Sequence, residues 1–215
     1  MAVILTAILV IFFYFYKEIL GEQFNKLHPM LQKRYGFVEG KIFKATGVMH
    51  KITSGPKWLY LFKLFATRRK FLFPEHGNNI PFHIINKQQI GLNGEQQVHW
   101  ERRFYFPNIK RDFNALMSLD KDKQLVKDYL GEPSLFYSEL TFEVTNHGHL
   151  MIESQKQRII LGNYEIPIPK LFQGNVLVKE GYMEENEAFF IHVLITNPLI
   201  GTLFEYKGEF RSDDL

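Results

Sequence analysis

The sequence predicts a mainly β, α+β domain: a large curved antiparallel sheet, a partial barrel, with two or three packed helices and an N-terminal apolar helix. Three observations predict it. From Glu95 to Pro107 the residues alternate with period two. Val98, Trp100, Arg102, Phe104 and Phe106 share one face; Gln97, His99, Glu101, Arg103 and Tyr105 share the other. Hairpin signals, Asn93-Gly94 and Asn146-His147-Gly148, join apolar segments through short connections, which makes neighbouring strands antiparallel. Helical spacing, one later segment apart, stops before Asn79.

A chain of 215 residues suffices for one domain with a full core, and no linker, repeat or low-complexity block divides it. Residues 17–215 therefore read as a single β-rich domain behind an apolar segment, residues 1–16. Aromatic residues make up 15% of the chain, with 21 Phe, which favours strands and deep packing over disorder. The net charge of +3 is too small and too scattered to argue for nucleic acid. Absence of Cys excludes disulfides, thiolate metal sites and cysteine nucleophiles.

Ala2 to Tyr16 is uncharged and almost wholly apolar. As a helix it would be about 22 Å long, short of the roughly 30 Å hydrocarbon core, with Ile19 and Leu20 able to extend it and Lys17 able to snorkel. It reads as a membrane anchor; a helix docked on the domain is the alternative. A cleavable signal fits worse, because no basic residue precedes the run and no small-x-small site follows it. Lys17, Lys26, Lys33 and Arg34 all follow the run, so an anchored domain is expected on the cytoplasmic side.

Leu20, Phe24, Leu27 and Leu31 recur at helical spacing, Pro29 should start a second short helix, and Gly36 should end it. Phe37 to Ile52 reads as one or two strands before the Ser54-Gly55-Pro56 turn. Lys57 to Lys70 is a helix with Trp58, Leu61, Phe62 and Phe65 on one face and Leu59, Tyr60 and Leu64 elsewhere, flanked by Lys57, Lys63, Arg68, Arg69 and Lys70. Such a helix either lies in a membrane interface, through Trp58, Phe62, Phe65, Lys63, Arg68 and Arg69, or packs on two sides in the core. Strands follow at 80–90, 95–107, 112–119, 135–145, 150–161, 172–182, 188–196 and 199–210. Lys121 to Leu130 is the one later segment that reads as helical, with Leu125 and Tyr129 four apart and Gly131 closing it.

The assembled segments resemble a bacterial family without assigned activity, the domain-of-unknown-function family 4166. Leu20 to Phe37, Phe71 to Gly77, Ile80-Pro81-Phe82, Trp100 to Pro107, Asp128 to Gly131 and Asn197 to Gly201 carry the resemblance, in that order. It implies a domain that occurs alone or behind nicotinamide-dependent reductase-like and membrane domains, so a reductase-like partner would supply any nicotinamide cofactor. It implies no catalytic residues.

No Gly-rich phosphate loop, nucleophile elbow or His-Glu-x-x-His motif is present, and no cofactor is expected. His147 and His149 are two ligands at most, which do not make a metal site. Glu75, His76, His83, His99 and Glu101 could form an acid–base cluster, but they alternate as a solvent face does. Arg102 stands out because it lies on the core face between Trp100 and Phe104. Arginine cannot deprotonate, so it either meets a carboxylate such as Glu180, which follows Val176 and Val178 on an apolar face, or faces a cavity and meets water or an anionic ligand head. By the same alternation Arg158 should share the inner face of Ile152. The candidate ligand-binding residues are thus Arg102, Trp100, Phe104 and Glu180. The function expected is a membrane-associated binding module for an apolar, lipid-like molecule inside the curved sheet; an accessory domain of a reductase, or a purely structural domain, is the alternative.

Overall fold

The structure, a computed structural model, describes residues 15–36, 42–162 and 164–213. Twelve strands follow in chain order: β1 (Ile42–Ser54), β2 (Gly77–Ile90), β3 (Gln96–Phe106), β4 (Ile109–Asp112), β5 (Ala115–Asp120), β6 (Leu125–Leu130), β7 (Phe136–Val144), β8 (Leu150–Leu161), β9 (Tyr164–Pro167), β10 (Asn175–Met183), β11 (Ala188–Asn197) and β12 (Gly201–Ser212). Three α-helices accompany them: α1 (Phe15–Leu20), α2 (Pro29–Tyr35) and α3 (Tyr60–Arg68).

The partial barrel expected from the sequence is a closed one. Ten strands form an antiparallel ring, β12–β1–β2–β3–β5–β6–β7–β8–β10–β11, while β4 pairs only with β3 and β9 only with β8. Closure rests on four residue pairs between β8 and β10, from Leu177↔Glu153 to Glu180↔Leu150. Joining the two edges removes the unpaired backbone that an open sheet of this size would expose. Tight coiling between β1 and β12 needs glycine. A Cβ at Gly47 would lie 2.0 Å from the Glu209 carbonyl oxygen, and one at Gly208 2.1 Å from that of Val48.

Two expectations are corrected by strand geometry. Lys121 to Leu130 is not a helix but a turn leading into β6, paired with β5 from Asp120↔Leu125 to Ala115↔Leu130. Val126, Asp128 and Leu130 are buried in alternation, and that period of two outweighs the four-residue spacing of Leu125 and Tyr129. In β8 a register shift sets Ser138 opposite Gln157 but Leu140 opposite Ser154. The extra residue reverses the faces, so Gln157 is buried and Arg158 leaves the inner face that Ile152 occupies. Neither β9 nor the separate β4 was anticipated. Residues 37–41, the expected start of the first strand, lie outside the described residues.

Both ends of the barrel are stoppered. At one end the first helix breaks at Gly21 (φ +53) into a 3-10 turn, Gly21–Lys26. α2 then starts at Pro29, its first amide donating to the capping ring of His28 (Met30 N to His28 Nδ1, 3.3 Å). Leu20, Phe24, Leu27 and Leu31 are all buried. Of the apolar run proposed as an anchor, Phe15 and Tyr16 are the only described residues. Both are buried, and Trp100 Nε1 donates to Tyr16 Oη at 3.2 Å. Residues 2–14 of that run lie outside the described residues. Among the described residues no helix is long and apolar enough to cross a membrane.

α2 also carries a buried cation. Arg34 is wholly inaccessible and forms an ion pair with Glu180, on the last rung of the β8–β10 closure. Its guanidinium carbon lies 4.1 Å from the Phe43 ring centre and 4.9 Å from that of Phe210. The opposite end is filled by Phe71, Leu72 and Phe73, which follow α3; Phe73 packs 4.8 Å from Phe204 and 5.1 Å from Phe104.

Removing one partner of the Arg34–Glu180 pair strands a buried charge, so Arg34→Leu should cost about 3–5 kcal/mol in urea unfolding. Arg34→Leu with Glu180→Leu should recover most of it. A single-variant loss below about 1 kcal/mol, the level of an exposed pair such as Arg103–Asp112, would show that the pair is not sealed as described.

Candidate functional site

The inward face of β3 places Trp100, Arg102 and Phe104 in the core, as the alternation requires, and turns Arg103 outward. Arg102 is held on three sides: Nε donates to the Phe113 carbonyl at 2.8 Å, Nη1 to Tyr206 Oη at 3.1 Å, and its plane lies 4.3 Å from the Phe113 ring centre. Glu180 is not its partner. The expected Arg102–Glu180 pairing gives way to Arg34–Glu180, because α2 brings Arg34 to the closing strand.

The carboxylate that Arg102 does feel is Asp128 of β6. Among the described residues it has no cation at ion-pair distance, and its Oδ1 has no hydrogen-bond partner. Burial raises its pKa from 3.8 to about 6, against the lowering influence of Arg102. Between the two lies a cavity of about 30 Å³, otherwise lined by Trp100, Phe113, Met117, Leu130, Leu140, Ile152 and valines and isoleucines of β10 and β11. That admits a water-sized group and no more, since ligand pockets run to hundreds of Å³. The sequence did hold the signal for Asp128: read as a strand, 125–130 places it between Val126 and Leu130.

The second feature is the α3 end. Trp58 is 69% exposed and Leu61 78%, with Phe62 and Phe65 about half exposed. The two-sided packing expected of a core helix is absent on this face. Lys63 departs from the interfacial set, because it is buried, and burial lowers its pKa. The helix is fixed to the barrel by backbone bonds, Asn114 N to Lys70 O (2.7 Å) and Glu132 N to Arg69 O (2.8 Å), and by the Lys70–Glu132 ion pair. Beneath it runs an apolar groove of about 170 Å³ between Phe62, Phe65, Phe71, Leu130, Phe136 and Ile159, with Arg69 at its edge. Leu130 lines both this groove and the interior cavity.

The remaining polar candidates are brought together elsewhere and are already satisfied. Glu132 accepts from His99 (2.9 Å), Asn114 (2.8 Å) and Lys70; burial opposes its ionisation, but these donors hold its pKa at about 2. Glu101 pairs with Lys87, Glu75 with Arg111, and His76 accepts from Ser54 N. His147 and His149 lie with ring centres 6.0 Å apart and planes tilted by 35°, and among the described residues no group of three or more His, Asp or Glu could hold a metal. A depression of about 400 Å³ lies by the β2–β3 and β5–β6 turns and mixes Glu95, Asp120 and Asp122 with Lys121 and Lys127. Lys121 and Lys127 are paired, with Glu18 and Glu165.

These features define a closed, doubly stoppered antiparallel barrel with Arg102 and Asp128 on its small interior cavity and an exposed apolar face at the α3 end. The chain belongs to the family described as Domain of unknown function (DUF4166), whose model matches residues 27–210. It is 36% identical over 191 residues, 89% of this chain and 93% of the relative, to the uncharacterized protein YndH of Bacillus subtilis strain 168. No solved structure matches.

Asp128 has a testable pH signature. Its folded-state pKa lies above the unfolded one, so the folded chain keeps a proton that the unfolded chain has released. Stability therefore falls as pH rises from about 4 to about 6, by about 3 kcal/mol, and the penalty is constant above that. Urea midpoints of the wild type relative to Asp128→Asn should fall across this window. A constant difference between pH 4 and pH 7 would mean that Asp128 is not desolvated.

Proposed function

We propose that the domain is a binding module that works at an anionic membrane surface, laying the α3 end of the barrel on the lipid and accepting an apolar chain in the groove beneath α3. One observation carries this reading: exposed large apolar side chains from separate segments meet at a single end. Strand direction sets this, since α3, the β8–β9 hairpin, the 170–172 turn and the β11–β12 turn all connect strands at the same rim. They present Trp58, Leu61, Phe62 and Phe65; Leu161 and Tyr164; Leu171 and Phe172; and Leu199. Among the described residues the opposite end exposes Ile42, Ile90 and Leu92. Scattered apolar residues are ordinary on a surface, but a convergent set of this kind marks an interaction site.

Charge selects the membrane. Lys57, Arg68, Lys110 and Lys170 lie around this rim without a carboxylate at ion-pair distance among the described residues, while Glu75 and Glu132 at the same end are already neutralised by Arg111 and Lys70. Each basic residue near an anionic surface contributes about 1 kcal/mol, and each inserted aromatic adds roughly 1.5–3 kcal/mol at most. The barrel interior, at about 30 Å³, does not hold a lipid as closed, so the groove is the place for the chain.

The full chain should co-float with phosphatidylserine-containing vesicles, less so in high salt. Trp58→Ala with Phe62→Glu should lower vesicle partitioning at least tenfold, while Leu92→Glu at the opposite end should leave it unchanged. Equal partitioning of the two variants would remove the rim from the account and leave attachment to other parts of the chain.

A further inference from the structure

We propose that the space between Arg102 and Asp128 recognises a neutral hydroxyl group at the end of an apolar chain that enters beneath α3. This rests on the groove reading above and adds the chemical class of the ligand: a long-chain or isoprenoid-like alcohol.

Three observations converge on it. Asp128 Oδ1 is buried without a partner and Asp128 lines the cavity. A buried acceptor left unpaired costs free energy that any hydrogen-bonding occupant recovers. Arg102 is fixed by its bonds to Phe113 and Tyr206, which use Nε and Nη1 and leave Nη2 without a protein acceptor among the described residues. A residue with a spare donor and one with a spare acceptor thus line one space of about 30 Å³, large enough for an oxygen atom and its hydrogen. The path is short, because Leu130 lines both that space and the groove of about 170 Å³. A rotamer change there is the least rearrangement that joins them.

The opposite charges decide which head fits. A hydroxyl can donate to Asp128 and accept from Arg102 at once. A carboxylate would set a second negative charge beside Asp128, and an ammonium would face Arg102. A methyl end would leave both groups unpaired, and sites built to hydrogen-bond a hydroxyl reject analogues without one strongly. The anionic head considered from Arg102 alone is therefore replaced by a neutral one, because Asp128 shares the space.

The chain has two tryptophans, so Trp58→Phe leaves Trp100, in the cavity wall, as the sole reporter. In that background, dodecanol, dodecanoate and dodecyl methyl ether are titrated at pH 7.5. The alcohol should perturb Trp100 with a Kd below about 100 μM and bind at least tenfold tighter than the other two. Asp128→Leu, which keeps the site filled and is checked for folding by thermal melting, should abolish that preference while the groove still takes all three. Equal binding of the three probes to the Trp58→Phe chain would overturn the hydroxyl site and leave the groove standing. Binding of none would overturn both, leaving the cavity to water, without touching the vesicle result.

Discussion

A ring of ten strands is held shut by four residue pairs between β8 and β10, and the rest of the molecule is arranged around that short seam. The last rung carries Glu180, whose buried carboxylate would open the seam if it were left unpaired; α2 supplies Arg34 to neutralise it inside a shell of aromatic rings. Where the two strands part, side chains take over from the ladder. Gln157 bonds both backbone groups of Gly174, at 2.7 and 2.9 Å, and Ser154 Oγ accepts from Val176 N at 2.8 Å. The extra residue in β8 that turns Gln157 inward is thus part of the closure.

Closure has a consequence for function. A barrel sealed along its wall and stoppered at both ends leaves little interior to offer, so in the binding role proposed above recognition falls to an end. The two ends differ in kind. The α1–α2 end packs its described apolar residues against the barrel and rims them with the Lys121–Glu18 ion pair and the His28–Glu184 hydrogen bond. The α3 end uses Phe71 and Phe73 for the stopper and leaves the aromatic face of α3 uncovered.

What the sequence disclosed follows the range of the interactions involved. The β3 alternation put Trp100, Arg102 and Phe104 indoors because period two is a local property. The Asn93-Gly94 hairpin was legible for the same reason, and Gly94 sits at φ +80 as that turn needs. Closure was not legible, since β8 and β10 meet only through the curvature of the whole sheet. Nor was the Arg34–Glu180 pair, whose partners lie 146 residues apart. Asp128 was hidden by a spacing of four, Leu125 to Tyr129, that suits a helix as well as the first and third of the strand's outward positions, with Lys127 between them. The bulge in β8 carried no local sign, so Arg158 was placed on the wrong face. The aromatic run of α3 was visible at once, but only the tertiary structure separates its bare face, Trp58 and Phe62, from buried Lys63.

If the α3 end meets lipid as proposed, Trp58 enters the bilayer, and its depth there can be measured. Trp58 is the exposed tryptophan and Trp100 the buried one, so quenching by bromine-labelled acyl chains reports on the first. With the full chain on anionic vesicles, Trp58 emission should shift to the blue and be quenched by lipids brominated near the headgroup, whereas a tryptophan placed at Leu92 should not be. Vesicle-bound protein with Trp58 unquenched, or with Leu92→Trp quenched equally, would contradict the account.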